Sequence, residues 1–368
     1  MGKPDIIQEN VPLGPLTTLK VGGPARYFAA CKDEAALVAV LRWAARQALS
    51  VFVLGGGSNV LIDDAGFDGI VIQCAMSSVR FQTHDGHTVV NADAGVNWDS
   101  LVERCVNAKL AGIECLSGIP GMVGAAPVQN IGAYGQEVVD TIVSVTGIDA
   151  STYERHCLSA AECRFNYRTS VFKTDWRTFI VTGVAFKLTH ADAGSVTYPD
   201  LKQQLNIAAS SSAPTLAETR RAVLTIRAKK SMVLSDDDPN RRSVGSFFVN
   251  PVISQDDFEQ LSLTVRKLGI DRDIPSFPMD EHTVKVPAAW LIEQAGFERG
   301  HTEGSVGIST KHSLAIINQG DANAKDILRF AAQIKMTVLA KFGIDLVPEP
   351  VLLVGTELGQ RATVTYSE

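Results

Sequence analysis

Apolar residues in the first half of the chain recur with two spacings, and each spacing predicts a different element. Leu37, Leu41 and Ala44 repeat along one face of a helix. Helices are predicted at residues 35–48 and 98–110, the second closed by Gly112. Short runs rich in β-branched and aromatic residues predict strands at residues 51–54, 69–74, 88–92, 138–148 and 179–188. The mixture predicts an α+β fold up to about residue 190.

The second half of the chain carries a similar mixture after a polar and less regular stretch. Helices are predicted at residues 215–230, 288–295 and 323–342, and strands at 306–308 and 314–318. Residues 344–354 contain two prolines, which suits an edge strand or an extended tail that could return to the first domain. The sequence contains neither an internal repeat nor a low-complexity segment.

Residues 119–135 read I-P-G-M-V-G-A-A-P-V-Q-N-I-G-A-Y-G, a composition that neither a helix nor a strand favours. Glycine costs about 1 kcal/mol inside a regular element, and proline costs more. Long unstructured loops are uncommon inside compact domains, so a plain loop is the weaker interpretation. A backbone this bare lets a large ligand approach its N–H groups, as in nests that hold phosphates. We therefore interpret the run as a binding surface for a bulky, phosphate-bearing cofactor.

A second glycine cluster supports this interpretation. The apolar strand predicted at 51–54 leads directly into G-G-G-S-N at residues 55–59, which looks like a dinucleotide fingerprint. A Rossmann unit needs a following helix that faces the pyrophosphate, but residues 60–69 are a short apolar run and a turn. No lysine follows the glycines, which excludes a P-loop. The two loops together favour a flavin dinucleotide held by loops alone over a Rossmann-bound nicotinamide.

Composition and charge limit the classes of function. The 368 residues allow two or three domains, and 20% charged with 45% hydrophobic residues is typical of an ordinary soluble enzyme or binding protein. The net charge of -6 and the lack of a basic stripe give no support for nucleic-acid binding. The first ten residues lack the apolar core of a signal peptide, and no stretch approaches the ~20 apolar residues of a membrane span. We expect a cytoplasmic protein that does not enter a membrane.

The six cysteines are scattered along the chain and include no C-x-x-C spacing. His156 stands beside Cys157, but no second cluster with zinc spacing accompanies the pair. We therefore expect buried, reduced thiols and no metal site.

Four further segments complete a specific pattern: N-Y-R-T-S-V-F-K at residues 166–173, G-S-F-F-V-N-P at 245–251, P-A-A-W-L-I-E-Q-A-G at 287–296 and P-E-P at 348–350. With the two glycine loops they stand in the same order as in the UDP-N-acetylenolpyruvoylglucosamine reductases, flavoenzymes that make UDP-N-acetylmuramate for bacterial peptidoglycan. The chain resembles this family from about Leu16 to Gly355, and it is similar to the subclass with a tyrosine-bearing loop that closes over the substrate. Any one segment alone would be weak, whereas the fixed order of all of them is specific.

The resemblance implies an FAD-binding domain of the vanillyl-alcohol-oxidase type, made of two α+β subdomains, and a smaller α+β substrate-binding domain. It divides the chain into an N-terminal extension (1–15), the FAD-binding domain (16–190, with subdomains of about 16–75 and 76–190), a capping loop and connecting helix (191–242), the substrate-binding domain (243–343) and a C-terminal strand that returns to the FAD-binding domain (344–368). A returning tail and loop-held FAD agree with the absence of a Rossmann helix.

By the same resemblance, the two glycine loops would hold FAD without a covalent bond. The residues expected to contact it are Gly55, Gly56, Gly57, Ser58, Asn59, Pro120, Gly121, Val123, Gly124, Ala125, Gln129, Asn130, Gly132, Ala133 and Tyr134. NADPH would reduce the flavin, NADP⁺ would leave, and the UDP-sugar would then take the hydride. A ping-pong sequence follows if both substrates use the same face of the flavin.

The chemistry explains why three polar residues would be needed at the reacting centre. Hydride addition to UDP-N-acetylglucosamine enolpyruvate builds negative charge on its carboxylate, so donors must face it. Arg168 matches the family's arginine and can clamp a carboxylate with its planar fork. Glu349 matches a glutamate that faces the same charge, and we expect a raised pKa and a bound proton, because an ionised carboxylate would repel that charge. Ser246 matches the serine that delivers a proton to the adjacent carbon.

The resemblance also implies contacts to the UDP-sugar. The four matched residues are Tyr198 in the capping loop, Lys230 near the diphosphate, Asn250 and Gln294. Arg227 could assist Lys230 at the diphosphate. Pro199 departs from the usual residue after the capping tyrosine and could stiffen the cap.

Several neighbouring residues are interpreted as structural. Tyr167 and Lys173 flank the arginine without an assigned role. Lys311-His312 suggests acid–base catalysis, but a structural histidine beside a strand is the favoured interpretation. The stretch 231–242 is longer than in the shortest family members, which leaves the placement of Lys230 open.

Two other functions compete with the reductase. An oxidase or dehydrogenase of small alcohols or lactones could use the same flavin fold, but many of these tether FAD to a histidine or cysteine, and none stands near Gly55. Ser246 and Glu349 would also have no role there. A catalytically silent sugar-nucleotide binder would be expected to lose one of the three catalytic residues, and all three are present. No obligate protein partner is evident in the sequence.

Overall fold

The architecture comes from a computed structural model, which describes residues 2–175, 178–207, 213–353 and 365–367. Within these ranges the helices are α1 (Glu34–Arg46), α2 (Trp98–Asn107), α3 (Pro199–Gln204), α4 (Leu216–Lys229), α5 (Gln255–Lys267), α6 (Ala288–Gln294) and α7 (Ala324–Phe342). The strands are β1 (Ile7–Pro12), β2 (Pro24–Cys31), β3 (Ser50–Leu54), β4 (Val60–Ile62), β5 (Phe67–Cys74), β6 (Val79–His84), β7 (His87–Asp93), β8 (Leu110–Ala111), β9 (Gly132–Ala133), β10 (Gln136–Glu137), β11 (Ile142–Asp149), β12 (Arg155–Ser159), β13 (Phe179–His190), β14 (Val252–Ser254), β15 (Phe277–Pro278), β16 (Thr283–Lys285), β17 (Thr302–Glu303), β18 (Val306–Ile308), β19 (Ile316–Asn318), β20 (Val351–Leu353) and β21 (Thr365–Ser367).

The first sheet has the strand order β1-β2-β5-β3-β21 and is parallel apart from its β1 edge. Parallel strands that are covered on both faces read as continuous apolar runs, which explains the V-F-V-L sequence of β3. Residues 1–15, expected as an extension, contain β1, whose backbone pairs with β2 along its length. This stretch is therefore an edge of the first sheet, because the ladder satisfies backbone groups that a free extension would leave to water.

The second sheet is antiparallel, with the order β12-β11-β13-β7-β6 and with β8 pairing the end of β13. One hydrophobic core fills the space between the two sheets and the helices α1 and α2. Leu41 of α1, Ile70 of β5, Trp98 of α2 and Phe186 of β13 all contribute to it. The segments 16–75 and 76–190 thus share one core, and a second cluster that includes Phe28 and Phe52 packs on the other face of the first sheet. The α+β prediction for this region is confirmed.

The second domain packs α5, α6 and α7 against two small antiparallel sheets, β14-β16-β15 and β17-β18-β19. Its core includes Leu19, Val21 and Leu61, which belong to the first domain. The two domains are therefore joined by buried apolar surface as well as by the chain itself.

Polar contacts add to this junction around the end of β4. Asp64 accepts hydrogen bonds from the backbone N–H groups of Ala324 (2.7 Å) and Lys325 (3.2 Å) in the first turn of α7. A carboxylate there satisfies N–H groups that lack a partner within the helix and also faces the positive end of the helix dipole. Asp63 donates its N–H to Leu353 O at 2.9 Å, beside the parallel pair β4–β20.

The first glycine loop connects β3 to β4 and is followed by a strand and a turn. The structure thus confirms that no Rossmann helix follows these glycines. In the described part of the C-terminal region, β20 pairs with β4 and β21 pairs with β3. The remainder of the predicted returning segment, residues 354–364 and 368, lies outside the described residues. No helix among the described residues is long and apolar enough to cross a membrane.

Two predicted element boundaries differ from the structure for local reasons. Helix α2 ends at Asn107, because Ala108 caps it and Lys109 takes a left-handed φ of 57° that a helix cannot continue. Leu110 then starts β8. The strand predicted from residue 138 begins at Ile142, since residues 138–140 form a short helical turn.

Helix α5 has no counterpart among the sequence predictions. Its start is well marked, because the Ser254 side chain accepts a hydrogen bond from Asp257 N in the N-cap position. Only Leu261 and Val265 of this helix are buried, so its apolar face is too narrow to give a strong period.

We expect Asp64→Ala to weaken the junction between the domains. The variant loses two hydrogen bonds at the start of α7 and a favourable charge at the helix dipole, for a loss of about 1–2 kcal/mol in the free energy of unfolding, measured by urea denaturation. Asp68→Ala is the control, because Asp68 is 87% exposed and its surface ion pair with Arg26 should contribute little. Equal losses in the two variants would contradict the role of Asp64.

Candidate functional site

The two glycine loops lie against each other. A Cβ atom on Gly56 would stand 2.8 Å from the Cα of Gly121, so only glycine allows this approach. Ser58 Oγ donates to Pro120 O at 3.4 Å, and Asn59 Nδ2 donates to Gln129 Oε1 at 3.3 Å. The loops therefore form one continuous surface beneath the site.

The backbone donors of the two loops are used differently. In the second loop, Val123 N donates to Val96 O (2.8 Å) and Gly124 N donates to Ala94 O (2.9 Å), so these groups serve the fold. In the first loop, no acceptor among the described residues takes the N–H groups of residues 56, 58 and 59. Neighbouring free N–H groups in a glycine turn are suited to phosphate oxygens, and the residues present thus fit a dinucleotide.

A cavity of about 390 Å³ opens between this surface and the second domain. Of the residues expected to contact FAD, those that line the cavity are Ser58, Asn59, Pro120, Gln129, Gly132, Ala133 and Tyr134. The others are not among the described lining residues: Gly55, Gly56, Gly57, Gly121, Val123, Gly124, Ala125 and Asn130. Several of these shape the loops, as Asn130 does by donating from Nδ2 to Glu137 Oε2 at 2.7 Å.

Arg168 lies in a tight turn, where residues 166 and 169 exchange backbone hydrogen bonds and its own φ is 52°. Its guanidinium donates from Nη1 to Asn130 O (3.1 Å) and from Nη2 to Gly132 O (2.8 Å). The second glycine loop therefore fixes the plane of the guanidinium. The Nε edge faces Glu349 Oε1 at 3.7 Å.

Glu349 and Ser246 reach the same cavity because their segments pair. Glu349 donates its N–H to Phe247 O at 2.9 Å, and Phe248 forms an antiparallel bridge with Pro348. The Glu349 side chain is only 18% exposed. Burial raises the pKa of this carboxyl above its ordinary value, although the charges of Arg168 and Lys173 oppose the rise.

The structure adds His312 to the neighbourhood of the serine. Its Nε2 lies 3.3 Å from Ser246 Oγ, and both residues line the cavity. Burial, together with the charges of Lys230, Arg299 and Arg227, lowers the pKa of the imidazole to about 4. From the sequence alone His312 is interpreted as structural, since the sequence does not give its distance from Ser246.

Tyr198 stands at another wall of the cavity, as the N-cap residue of α3. Its ring lies edge-on to Tyr134, with 5.5 Å between the ring centroids. Pro199 occupies the first helical position, where its fixed φ suits the helix and its missing N–H has no partner to lose. Pro199 therefore starts a helix directly after Tyr198.

Arg227 and Lys230 stand at the C-terminal end of α4 and line the cavity. Lys230 pairs with Asp200 at 3.5 Å. Arg227 is buried and donates from Nη2 to Met232 O at 2.9 Å, while its Nε has no hydrogen-bond partner among the described residues. Burial lowers the pKa of this guanidinium, an effect that Tyr134 and Asp99 oppose. The positive charge of this residue at the cavity wall favours an anionic ligand.

Asn250 lines the cavity, but Gln294 is not among the described lining residues. Asn250 Oδ1 accepts from Ala288 N at 2.9 Å and so also holds the start of α6. Gln294 ends that helix, and its carbonyl oxygen accepts from Lys341 Nζ at 2.5 Å. The expected contact of Gln294 with the sugar nucleotide therefore stays a prediction.

The stretch 231–242 is clamped to the loop that carries His312. Asn240 Nδ2 donates to Ser231 Oγ (3.3 Å) and to Thr310 Oγ1 (3.1 Å). Asp238 accepts from Lys311 Nζ at 3.1 Å. Burial alone would raise the pKa of Asp238, but its hydrogen bonds to Ser231, Asn240 and Lys311 outweigh that effect and lower the pKa to about 2.

Positively charged side chains predominate along the cavity wall. Its described charged lining residues are the cations Arg168, Arg227, Lys230 and Arg241 and the carboxyl group of Glu349. A cleft of this kind concentrates anionic ligands such as a diphosphate or a carboxylate. The described residues include no group of histidine, cysteine or acidic side chains that could hold a metal ion.

Comparison with known proteins decides the family. A family model described as the UDP-N-acetylenolpyruvoylglucosamine reductase C-terminal domain matches residues 237–353. The reductase of Thermobifida fusca is 46% identical over 347 residues, which are 94% of this chain and 97% of that protein. The chain belongs to the UDP-N-acetylenolpyruvoylglucosamine reductase family. The reductase of Streptomyces coelicolor is 42% identical over 93% of this chain and 89% of its own length.

The reductase family's fold and cofactor agree with the site. The crystal structure of UDP-N-acetylenolpyruvylglucosamine reductase from Thermus caldophilus superposes with a TM-score of 0.62 at 27% identity, covering 94% of this chain and 98% of that one. A second model, described as an FAD binding domain, matches residues 25–157, which include both glycine loops. FAD is therefore the cofactor of this chain, and the prediction of a flavin held without a Rossmann unit is confirmed.

Gly56→Ala tests the contact between the two loops. The new Cβ would meet the backbone of Gly121 at 2.8 Å and force the loops apart, so we expect a loss of about 1–3 kcal/mol in the free energy of unfolding together with reduced flavin content. Gly183→Ala is the control, because the nearest atom to a Cβ there lies 3.5 Å away. Thermal denaturation and the flavin-to-protein absorbance ratio give the two readouts. Unchanged flavin content in Gly56→Ala would show that the loops tolerate separation.

Proposed function

We propose that this chain reduces UDP-N-acetylglucosamine enolpyruvate to UDP-N-acetylmuramate, with bound FAD and with NADPH as the hydride donor. The observation that carries the proposal is the convergence of Arg168, Ser246 and Glu349 on one cationic cavity bordered by the glycine loops. These residues lie far apart in the chain, and an alcohol oxidase would have no use for the combination.

The reaction adds a hydride and a proton across a carbon–carbon double bond next to a carboxylate. FAD, when bound, supplies the hydride. The protein must then stabilise negative charge on the substrate carboxylate and deliver a proton to the carbon beside it. Each task requires a group whose position is fixed before the reaction, because reorganisation during the reaction would raise the barrier.

Arg168 is assigned to the carboxylate. The carbonyl groups of Asn130 and Gly132 hold its two Nη atoms, so the guanidinium cannot swing away from the cavity. A fixed planar fork provides parallel donors to a carboxylate, and its charge opposes the charge that develops there.

Glu349 is assigned a neutral state in the substrate complex. Its raised pKa, caused by burial, favours a proton on the carboxyl group. A protonated carboxyl donates a hydrogen bond to the developing anion, whereas an ionised one would repel it. The guanidinium of Arg168, with its Nε 3.7 Å from Glu349 Oε1, opposes protonation of the glutamate. A bound substrate carboxylate would pair with this guanidinium and so weaken its effect on the pKa of Glu349.

Ser246 is assigned the protonation of carbon. Its hydroxyl lines the cavity on the strand-like segment that Glu349 pairs with, so acid and anion stabiliser are held by one set of backbone hydrogen bonds. A carbanion-like centre is basic enough to take a hydroxyl proton when the two are held in contact.

The cationic end of the cavity is assigned to the diphosphate of the UDP-sugar. Lys230 and Arg227 supply positive charge, and Tyr198 stands where it can cover the bound sugar nucleotide. Asn250 adds a polar contact on the opposite domain. A cytoplasmic location is part of the proposal, and the six free thiols support it. Cys31 and Cys74 stand opposite each other on the neighbouring strands β2 and β5, yet they form no disulfide.

Anaerobic visible spectroscopy of the purified protein tests the reaction. We expect the flavin band to bleach with one equivalent of NADPH and to return only when UDP-N-acetylglucosamine enolpyruvate is added. A flavin band that stays bleached after the sugar nucleotide is added but returns in air would indicate an oxidase instead. A colourless protein that cannot be reconstituted with FAD would overturn the flavin assignment.

Glu349→Gln tests the neutral state of this residue. We expect the rate of flavin reoxidation by the sugar nucleotide to fall in the wild type as pH rises through the raised pKa of Glu349, because the ionised form repels the developing charge. Glutamine cannot ionise but still donates a hydrogen bond. The reoxidation rate of the variant should therefore not decrease with pH, and at low pH it should stay within about tenfold of the wild-type rate. Stopped-flow absorbance measures the rates of both proteins, with exposed Glu298→Gln as the control.

Protein stability gives a second readout of the same pKa. A carboxyl whose folded-state pKa is raised contributes its full stability below the unfolded-state pKa and loses it as pH rises through the folded-state value. The melting temperatures of the wild type and Glu349→Gln should therefore be similar in acid, and the variant should become the more stable as pH rises. A constant difference at every pH would contradict a raised pKa.

A further inference from the structure

His312 stands in a fixed position beside Ser246. The residues on either side of it are both anchored: Lys311 donates to Asp238 at 3.1 Å, and Ser313 donates to Glu293. The imidazole is thereby held with Nε2 at 3.3 Å from Ser246 Oγ. Both side chains face the cavity, so this contact belongs to the reacting region and not to the core.

Burial and nearby positive charge together decide the protonation state of the imidazole. Burial is the largest cause of its lowered pKa, and the positive charges of Lys230, Arg299 and Arg227 act in the same direction. With its pKa lowered to about 4, the ring is neutral at pH 7. A neutral imidazole carries one donor and one acceptor nitrogen, and the tautomer decides which of them faces the serine.

Only one tautomer agrees with the role of the serine. If Nε2 were the acceptor, the hydroxyl hydrogen of Ser246 would be directed at the ring and withheld from the substrate. If Nε2 carries the hydrogen, it donates to Oγ and leaves the hydroxyl hydrogen for the substrate carbon. The same donor would then stabilise the oxygen as it gives up its proton.

We propose that His312 is a positioning residue for Ser246, whose hydroxyl it orients by donating a hydrogen bond from Nε2 to Oγ. This inference rests on the proposed reductase function. It assigns to the histidine no proton transfer of its own.

The proton balance is complete without a further reactant. The O–H bond of Ser246 breaks as a C–H bond forms at the substrate carbon next to the carboxylate. The resulting serine oxyanion keeps the hydrogen bond from His312 and regains a proton from solvent when the product leaves. A neutral ring with a lowered pKa suits this role, whereas a histidine that supplied the proton itself would have to be charged.

A double-mutant cycle tests the proposal. The variants are His312→Ala, Ser246→Ala, the double variant, and His312→Gln, whose side-chain amide keeps an N–H donor. Product formation is followed by rapid quench after mixing NADPH-reduced holoenzyme with the enolpyruvyl sugar nucleotide, in H₂O and in D₂O. Bleaching of the flavin by NADPH is measured separately in each variant.

We expect His312→Ala to slow product formation about tenfold to a hundredfold, because an oxyanion loses a donor, and to enlarge the solvent isotope effect. In the Ser246→Ala background the same change should alter the rate less than about threefold, since the partner oxygen is already gone. His312→Gln should recover most of the loss. Flavin bleaching by NADPH should slow much less than product formation in the His312 variants.

Two results would overturn the proposal. One is an equal rate loss from His312→Ala with and without Ser246, and the other is an equal loss in bleaching by NADPH, because a general structural role predicts both. Exposed His282→Ala serves as the matched control, and flavin content and melting temperature identify any variant that fails to fold. Failure of the reductase assignment is distinguishable, since the wild type itself would then form no product.

Discussion

The backbone of residues 347–353 connects the two domains at the reacting centre, and the arrangement of the site depends on it. Pro348 and Pro350 flank Glu349 and have no N–H groups. The two N–H groups that remain around them point to opposite domains: Glu349 donates to Phe247 O, and Val351 donates to Asn59 O at 3.0 Å. One short segment therefore fixes the glutamate, the serine-bearing segment and the first glycine loop relative to one another.

This segment also explains why the polar residues can function in a partly buried place. The glycine loops supply carbonyl groups that hold Arg168, and the paired segments hold Ser246 and Glu349. Backbone groups of the fold therefore hold Arg168, Ser246 and Glu349 in position. The burial that raises the pKa of Glu349 is thus a consequence of the same packing that orients it.

Much of the fold and the site could be predicted from the sequence, because the decisive signals were local. Bare glycine runs, the strand before Gly55 and the N-Y-R turn are visible as short patterns. The remainder depended on distances through space. The sequence does not show that Asn250 holds the start of α6, or that His312 lies beside Ser246 once two distant loops are anchored together. Helix α5 escaped prediction because its two buried residues give no clear period.

The contacts at the end of β4 close residues 324–353 into a ring. Asp64 holds the beginning of this stretch, while Asp63 and β4 hold its end, so both ends of the 19-residue helix α7 and its tail are tied to one short piece of the first domain. A displacement of α7 relative to β4 would therefore strain the whole closed stretch, including the tail that carries Glu349.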